Sequence, residues 1–246
     1  MSDDWDFFPL RVDDQPASIF VDLGIRKQAP IKSHPTMAYL RVLMLRPRED
    51  GLSSQDEFDD LIVLENKVTS KITRDGKSLF VGRNTSSGNR DFYFYTSDST
   101  EFDVVAREAI REFPAYKYET GAREDRDWRT YLEFLHPSER SMQLIMNRRV
   151  CEQLDKNGDN LNNERKIDHL VLLPTSEAQF AFARDVTGGG FVVDSAPTEP
   201  NDEGHFSVEF SRPDRPAQID DIVLSLFDKA TELGGIYDGW GCQIAP

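Results

Sequence analysis

Apolar positions along the chain switch repeatedly between the two-residue repeat of strands and the three- and four-residue repeat of helices. Ile19, Val21 and Leu23 alternate as a short strand, and Tyr39–Leu45 is a denser apolar run broken by Arg41, the pattern of a central strand. Ser54 and Glu57 form a capping box for a helix through Phe58, Leu61, Ile62, Val68 and Ile72, closed by Asp75-Gly76. Two strands, near Ser78–Gly82 and Asp91–Tyr95, are joined by a hairpin-type loop. Asp98 or Ser99 then opens the cleanest helical stripe, Phe102, Val105, Ala106, Ala109, Ile110 and Phe113, which Pro114 stops. Strands are expected near Tyr116–Glu119 and Arg129–Leu135, and Ser138 opens a helix through Ile145 to Leu154.

Beyond that helix the pattern is simpler. Asp168–Leu173 reads as a strand. Ser176 and Gln179 cap a helix that Gly188-Gly189-Gly190 ends, and Phe191–Asp194 and Phe206–Phe210 read as strands. Ile219, Ile222, Val223, Leu226, Ala230 and Leu233 form a helical stripe, and Ile236–Ile244 a last strand. This order, β-α-β-β-α-β, is the split βαβ or ferredoxin-like arrangement. The front half reads β-β-α-β-β-α-β-β and contains the same core once its outer strands are removed. The expected fold class is α+β: two tandem ferredoxin-like sandwiches, each an antiparallel sheet backed by two helices. The expected boundaries are an α+β domain at 1–136, a helical connector at 137–160 and a ferredoxin-like domain at 161–246.

Charge adds to this division. The 246 residues carry a formal net charge of −15. Residues 151–246 hold 7 basic and 18 acidic residues, net −11, whereas 1–150 hold 22 and 26, net −4. So negative a chain is poorly suited to direct nucleic-acid binding or to an anionic membrane surface, and it suits a basic protein partner. Two cysteines make no disulfide framework, and the acidic start from Met1 to Asp6 is unlike a signal peptide, so a cytoplasmic protein is expected.

Catalytic chemistry is hard to find. The four histidines, His34, His136, His169 and His205, are dispersed, and neither cysteine sits in a CxxC pair, so no compact metal motif is expected. Asp155, Asn157 and Asp159 imitate half of an EF-hand loop, but the twelfth position is Lys166 where a bidentate carboxylate is needed. The three glycines follow a helix instead of opening one, the wrong polarity for a phosphate cradle. The strand Phe92-Tyr93-Phe94-Tyr95 would be a base-stacking platform only if its rings were exposed, and alternation buries two of them. No catalytic residue and no cofactor is assigned. The unusual constellation is Tyr237-Asp238-Gly239-Trp240-Gly241, in which two glycines permit a bulge around a Trp in the closing strand.

In that context, after Ala230–Gly235, the pentapeptide resembles the terminal signature of the regulator of ribonuclease E activity B (RraB-like) family. Asp168-His169 is similar to the family's entry strand, and Gly190-Phe191-Val192-Val193 to its helix-to-strand turn. The resemblance covers about residues 160–246. The front half, from Trp5-Asp6-Phe7-Phe8-Pro9 through Asp13–Asp22, resembles an uncharacterised domain family often fused ahead of such regulators. The resemblance implies a ferredoxin-like, non-catalytic protein that binds ribonuclease E or another RNA-processing enzyme. Tyr237, Asp238, Trp240, Asp168 and His169 are the candidate partner-binding residues. Two alternatives stay open: an acidic adaptor or toxin-inhibiting binder, and an enzyme or small-ligand protein using the groove between the two units, where Asp168, His169 and His205 could converge.

Overall fold

The computed structural model describes residues 2–12 and 14–246. Met1, in the acidic start, and Asp13, in the front motif, lie outside them. The chain divides into two compact units, Met1–Pro137 and Ser138–Pro246.

The first unit runs β1 (Trp5–Val12), β2 (Gln15–Asp22), β3 (Thr36–Leu43), α1 (Gln55–Ile72), β4 (Ser78–Ser86), β5 (Asn89–Thr96), α2 (Ser99–Ile110) and β6 (Lys117–Glu124). Its six-stranded sheet has the order β1-β2-β4-β5-β3-β6, antiparallel throughout. Each helix therefore joins two strands that flank a third, the interleaving of a split βαβ unit. Alternation sends Ala38, Leu40, Val42, Phe92 and Phe94 to one face. There they pack on Leu61, Leu64 and Val68 of α1 and on Phe102, Ala106 and Ala109 of α2. Close pairing constrains Gly82: a Cβ there would sit 2.7 Å from the Phe20 carbonyl oxygen of β2.

Four local expectations change. The front strand is a hairpin, with Trp5–Val12 pairing Gln15–Asp22, because Pro9 is tolerated where an edge strand needs no inward N–H. The expected strand at Arg129–Leu135 is a π-helical turn over Thr130–Leu135. Tyr131 and Leu135, four residues apart, are buried and Glu133 between them is exposed, the spacing of a helical turn and not of a strand. β6 runs on past the expected end at Glu119 to Glu124, since an edge strand needs few apolar residues. Glu57 does not cap α1. Fully buried, it accepts the amides of Leu45 (2.8 Å) and Arg46 (2.6 Å), tying the chain after β3 to the helix.

The second unit runs α3 (Glu139–Lys156), β7 (Arg165–Leu173), α4 (Ser176–Gly188), β8 (Val192–Ser195), β9 (Phe206–Asp214), α5 (Ile219–Glu232) and β10 (Ile236–Cys242). The sheet order is β10-β7-β9-β8, again antiparallel and interleaved. Ile167, Val171, Val208 and Phe210 pack on Phe182 and Val186 of α4 and Val223 and Leu226 of α5. α4 is capped by Thr175, one residue before the expected Ser176, while Gln179 donates to the Pro197 and Ser207 carbonyls. The helix expected as a connector is α3. It lies within this unit, where Asn147 donates to Asp220 (2.9 Å) and Arg140 pairs with Asp228 of α5. Asp159 of the EF-like stretch is committed to a two-pronged pair with Arg165, both contacts 2.7 Å.

Candidate partner-binding face

Strand alternation divides the candidate residues between the two faces of the second sheet. On β7, Ile167, His169, Val171 and Leu173 point toward the helices, and Lys166, Asp168 and Leu170 point away. Asp168 and His169 are sequence neighbours on opposite faces, so they form no dyad.

β10 would follow the same rule and place Tyr237 and Trp240, three residues apart, on opposite faces. It does not. A bulge between Tyr237 and Gly239 leaves Asp238 unpaired, and Gly239 adopts φ +128°, a left-handed conformation open to glycine. The extra residue restores the phase, so Tyr237 opposite Val171 and Trp240 opposite His169 both face the helices. Tyr237 and His169 are buried, with the hydroxyl 2.8 Å from Nδ1. The imidazole stacks on Phe210 and meets Phe191 edge-on. Burial pushes the His169 pKa down from 6.5 to about 4, so the ring is neutral near pH 7, and burial raises the Tyr237 phenol. Half-buried Trp240 donates Nε1–H to the Asn147 oxygen at 2.8 Å, continuing to Asp220 and joining β10, α3 and α5.

The opposite face carries no helix. Lys166, Asp168, Leu170, Asp194, Glu209 and Asp238 border a shallow concavity of about 620 Å³ there. Lys166 bridges Asp168 at 3.0 Å and Asp194 at 3.4 Å, and the Asp194 carboxyl is held below its usual range by Ser211 and then Lys166. Glu209 and Asp238 have no ion-pair partner among the described residues. The face is thus acidic, with apolar Leu170 beside it. The bulge pushes Asp238 into this rim. Asp168 and Asp238 were legible as candidates. Asp194 and Glu209 were missed, although alternation along β9 puts Glu209 on the face opposite buried Val208 and Phe210.

The arrangement can recognise a basic protein segment. It is ill suited to RNA, which on an open sheet needs exposed aromatics and cations. On the aromatic strand of the first unit, Phe92 and Phe94 are core and Tyr95 is covered by Trp128 at 3.9 Å, which leaves Tyr93 as the ring on the open face. No helix among the described residues is long and apolar enough to cross a membrane.

These features define an α+β chain of two units whose second unit presents an uncovered acidic sheet. The chain belongs to the family of unknown function DUF695, whose model matches residues 3–136. Residues 144–242 match the model of the regulator of ribonuclease activity B family, which begins within α3 and ends with β10. That second match supports a regulator of ribonuclease activity, with a non-catalytic role for the second unit. No curated protein matches the chain. Among solved structures, a proposed glycine cleavage system transcriptional repressor is similar at 9% identity over 85% of this chain and 98% of its own, with a TM-score of 0.25. An unknown protein from Galdieria sulphuraria is similar at 10% identity over 86% and 99%, with a TM-score of 0.24. Scores this low carry no argument about fold or function.

Proposed function

We propose that this protein restrains ribonuclease E-type RNA cleavage by binding the enzyme, and that the acidic sheet face of the second unit is the contact. The observation that carries the reading is the position of that face, within the segment matched by the ribonuclease-regulator model. Asp168, Asp194, Glu209 and Asp238 would meet Lys and Arg side chains of the enzyme, which speeds encounter more than it deepens affinity. Tyr237 and His169 act from behind, holding the bulge that presents Asp238, and Trp240 contributes its exposed edge while fastening α3. The protein acts in the cytoplasm, where Cys151 and Cys242 stay as free thiols.

The test is surface plasmon resonance of the full chain against purified ribonuclease E at low and high salt. Glu209→Lys with Asp238→Lys leaves the Lys166 bridge intact and reverses two charges. Association should slow about tenfold at low salt, with the difference shrinking as screening shortens the Debye length. Absence of binding by the native chain rejects the enzyme as partner. Binding indifferent to the double variant rejects this face.

A further inference from the structure

The first unit holds a larger concavity on the face of its sheet away from α1 and α2. The chain from Asp125 to Leu135 folds over β2 and β4, where the Tyr131 hydroxyl donates to the Asp22 carbonyl at 2.7 Å. It leaves parts of β3, β5 and β6 open, and the resulting groove measures about 860 Å³. That lies within the range of roughly 300–1,000 Å³ typical of small-molecule sites.

Two costly backbone features build its wall. Trp128 is fully buried yet has φ 56°, the left-handed region that a bulky residue rarely occupies. The π-helical turn follows immediately, a geometry often found at functional sites. Both are held firmly. Trp128 stacks on Tyr95 and donates to the His34 carbonyl at 2.9 Å. Asp125 accepts the Tyr95 hydroxyl (2.6 Å) and the amides of Arg129 and Thr130 (both 2.9 Å). The outcome is that Arg129, Glu133 and Phe134 line the groove opposite the sheet.

The lining chemistry is selective. Arg41 is committed to Asp91 by two contacts of 2.8 and 2.7 Å. Arg123 and Arg129 form no ion pair among the described residues, Arg123 donating only to the Thr130 hydroxyl at 2.9 Å. Of the remaining acids in the lining, Glu124 pairs with Arg126, Asp125 is taken up by the Tyr95 hydroxyl and two backbone amides, and Glu133 has no ion-pair partner among the described residues. In a chain of net charge −15, two guanidinium groups without a carboxylate partner in one groove suit an anion. The remaining surface is aromatic. Tyr39 lies against Gly121, where a Cβ would come within 2.6 Å of its ring, and Phe134 meets Tyr93 edge-on at 5.9 Å.

We propose that this groove binds a small planar anion, a ring bearing a phosphate or carboxylate, with Arg123 and Arg129 on the anion and Tyr39, Tyr93 and Phe134 around the ring. Calorimetric titration of the full chain tests it, with adenosine monophosphate and 4-hydroxybenzoate as the two anion chemistries. Adenosine serves as a ring without an anion, and inorganic phosphate as an anion without a ring. One saturable site is expected for at least one ring-bearing anion, with adenosine and phosphate each weaker by about tenfold or more. Arg129→Ala should weaken that binding by about tenfold, and Glu133→Gln, which removes a competing charge, should tighten it. Both residues are exposed, so unchanged melting curves without ligand will certify the fold. Saturation by neither ring-bearing anion, equal binding of phosphate alone, or affinity indifferent to both variants would overturn the proposal. None of these outcomes bears on ribonuclease binding by the second unit.

Discussion

His169 should make the second unit lose stability in mild acid, and the size of the loss can be worked out. The imidazole is 3% exposed among Phe210, Phe191 and Tyr237, and no protein atom partners Nε2. Burial is the main cause of a pKa lowered from 6.5 to about 4; Asp214 opposes the shift and Arg212 adds to it. Between those values the unfolded chain binds a proton that the folded chain does not, so stability falls as pH drops from 6.5 toward 4. From pH 7 to pH 5 the loss assigned to this residue is about 2 kcal/mol, and by pH 4 it nears 3 kcal/mol. Two measurements check it. The His169 Hε1 resonance should titrate near pH 4, well below 6.5. Hydrogen exchange of the β7 amides, which reports opening of this unit, should accelerate between pH 7 and pH 5 after correction for intrinsic exchange. In His169→Gln that extra acceleration should vanish, because the carboxylates titrate alike in both proteins and cancel in the comparison. A His169 resonance titrating near 6.5, or an identical pH dependence in the variant, would refute the reasoning.

Two further substitutions follow from the hydrogen bonds. Trp240→Phe removes the donor to Asn147 and leaves a buried amide oxygen unpaired, which should cost about 1–3 kcal/mol. Thermal melting should register it, together with faster exchange in α3. Glu57→Ala should cost about 3 kcal/mol in urea unfolding of the first unit, because the amides of Leu45 and Arg46 lose a charged acceptor at once. If Glu57 were only a helix cap, the loss would be closer to about 1 kcal/mol.

The parts of the fold legible in the sequence were those in which side-chain period and backbone period agree. The stripe from Phe102 to Phe113 announced α2 because a helix with one buried face must repeat this way. The β-α-β-β-α-β order of the second unit was legible for the same reason, as was the Gly188–Gly190 helix end, where Gly189 donates to the Asp185 and Val186 carbonyls. Legibility failed where a long-range partner sets the local structure. Thr130–Leu135 is an aromatic and aliphatic run too short to show a helical period, and Trp128 against Tyr95 and Tyr131 against Asp22 hold it in a π-helical turn. Glu57 sits where a capping box would need it, yet the two amides after β3 compete for its carboxylate and win.

The same distinction runs through the sites. Composition and order alone determined an acidic α+β chain with its net charge concentrated in residues 151–246, because charge and period are local properties. The resemblance of the terminal pentapeptide also rested on residues in a row. Which of those residues face outward was decided by tertiary structure: the single extra residue at Asp238 shifts the strand phase, turning Tyr237 and Trp240 inward together and leaving the carboxylate on the open face. The groove of the first unit was invisible for a similar reason. Tyr39, Tyr93, Arg123 and Arg129 lie on three strands and a turn far apart in sequence, and antiparallel pairing of β3 with both β5 and β6 is what brings them to one surface.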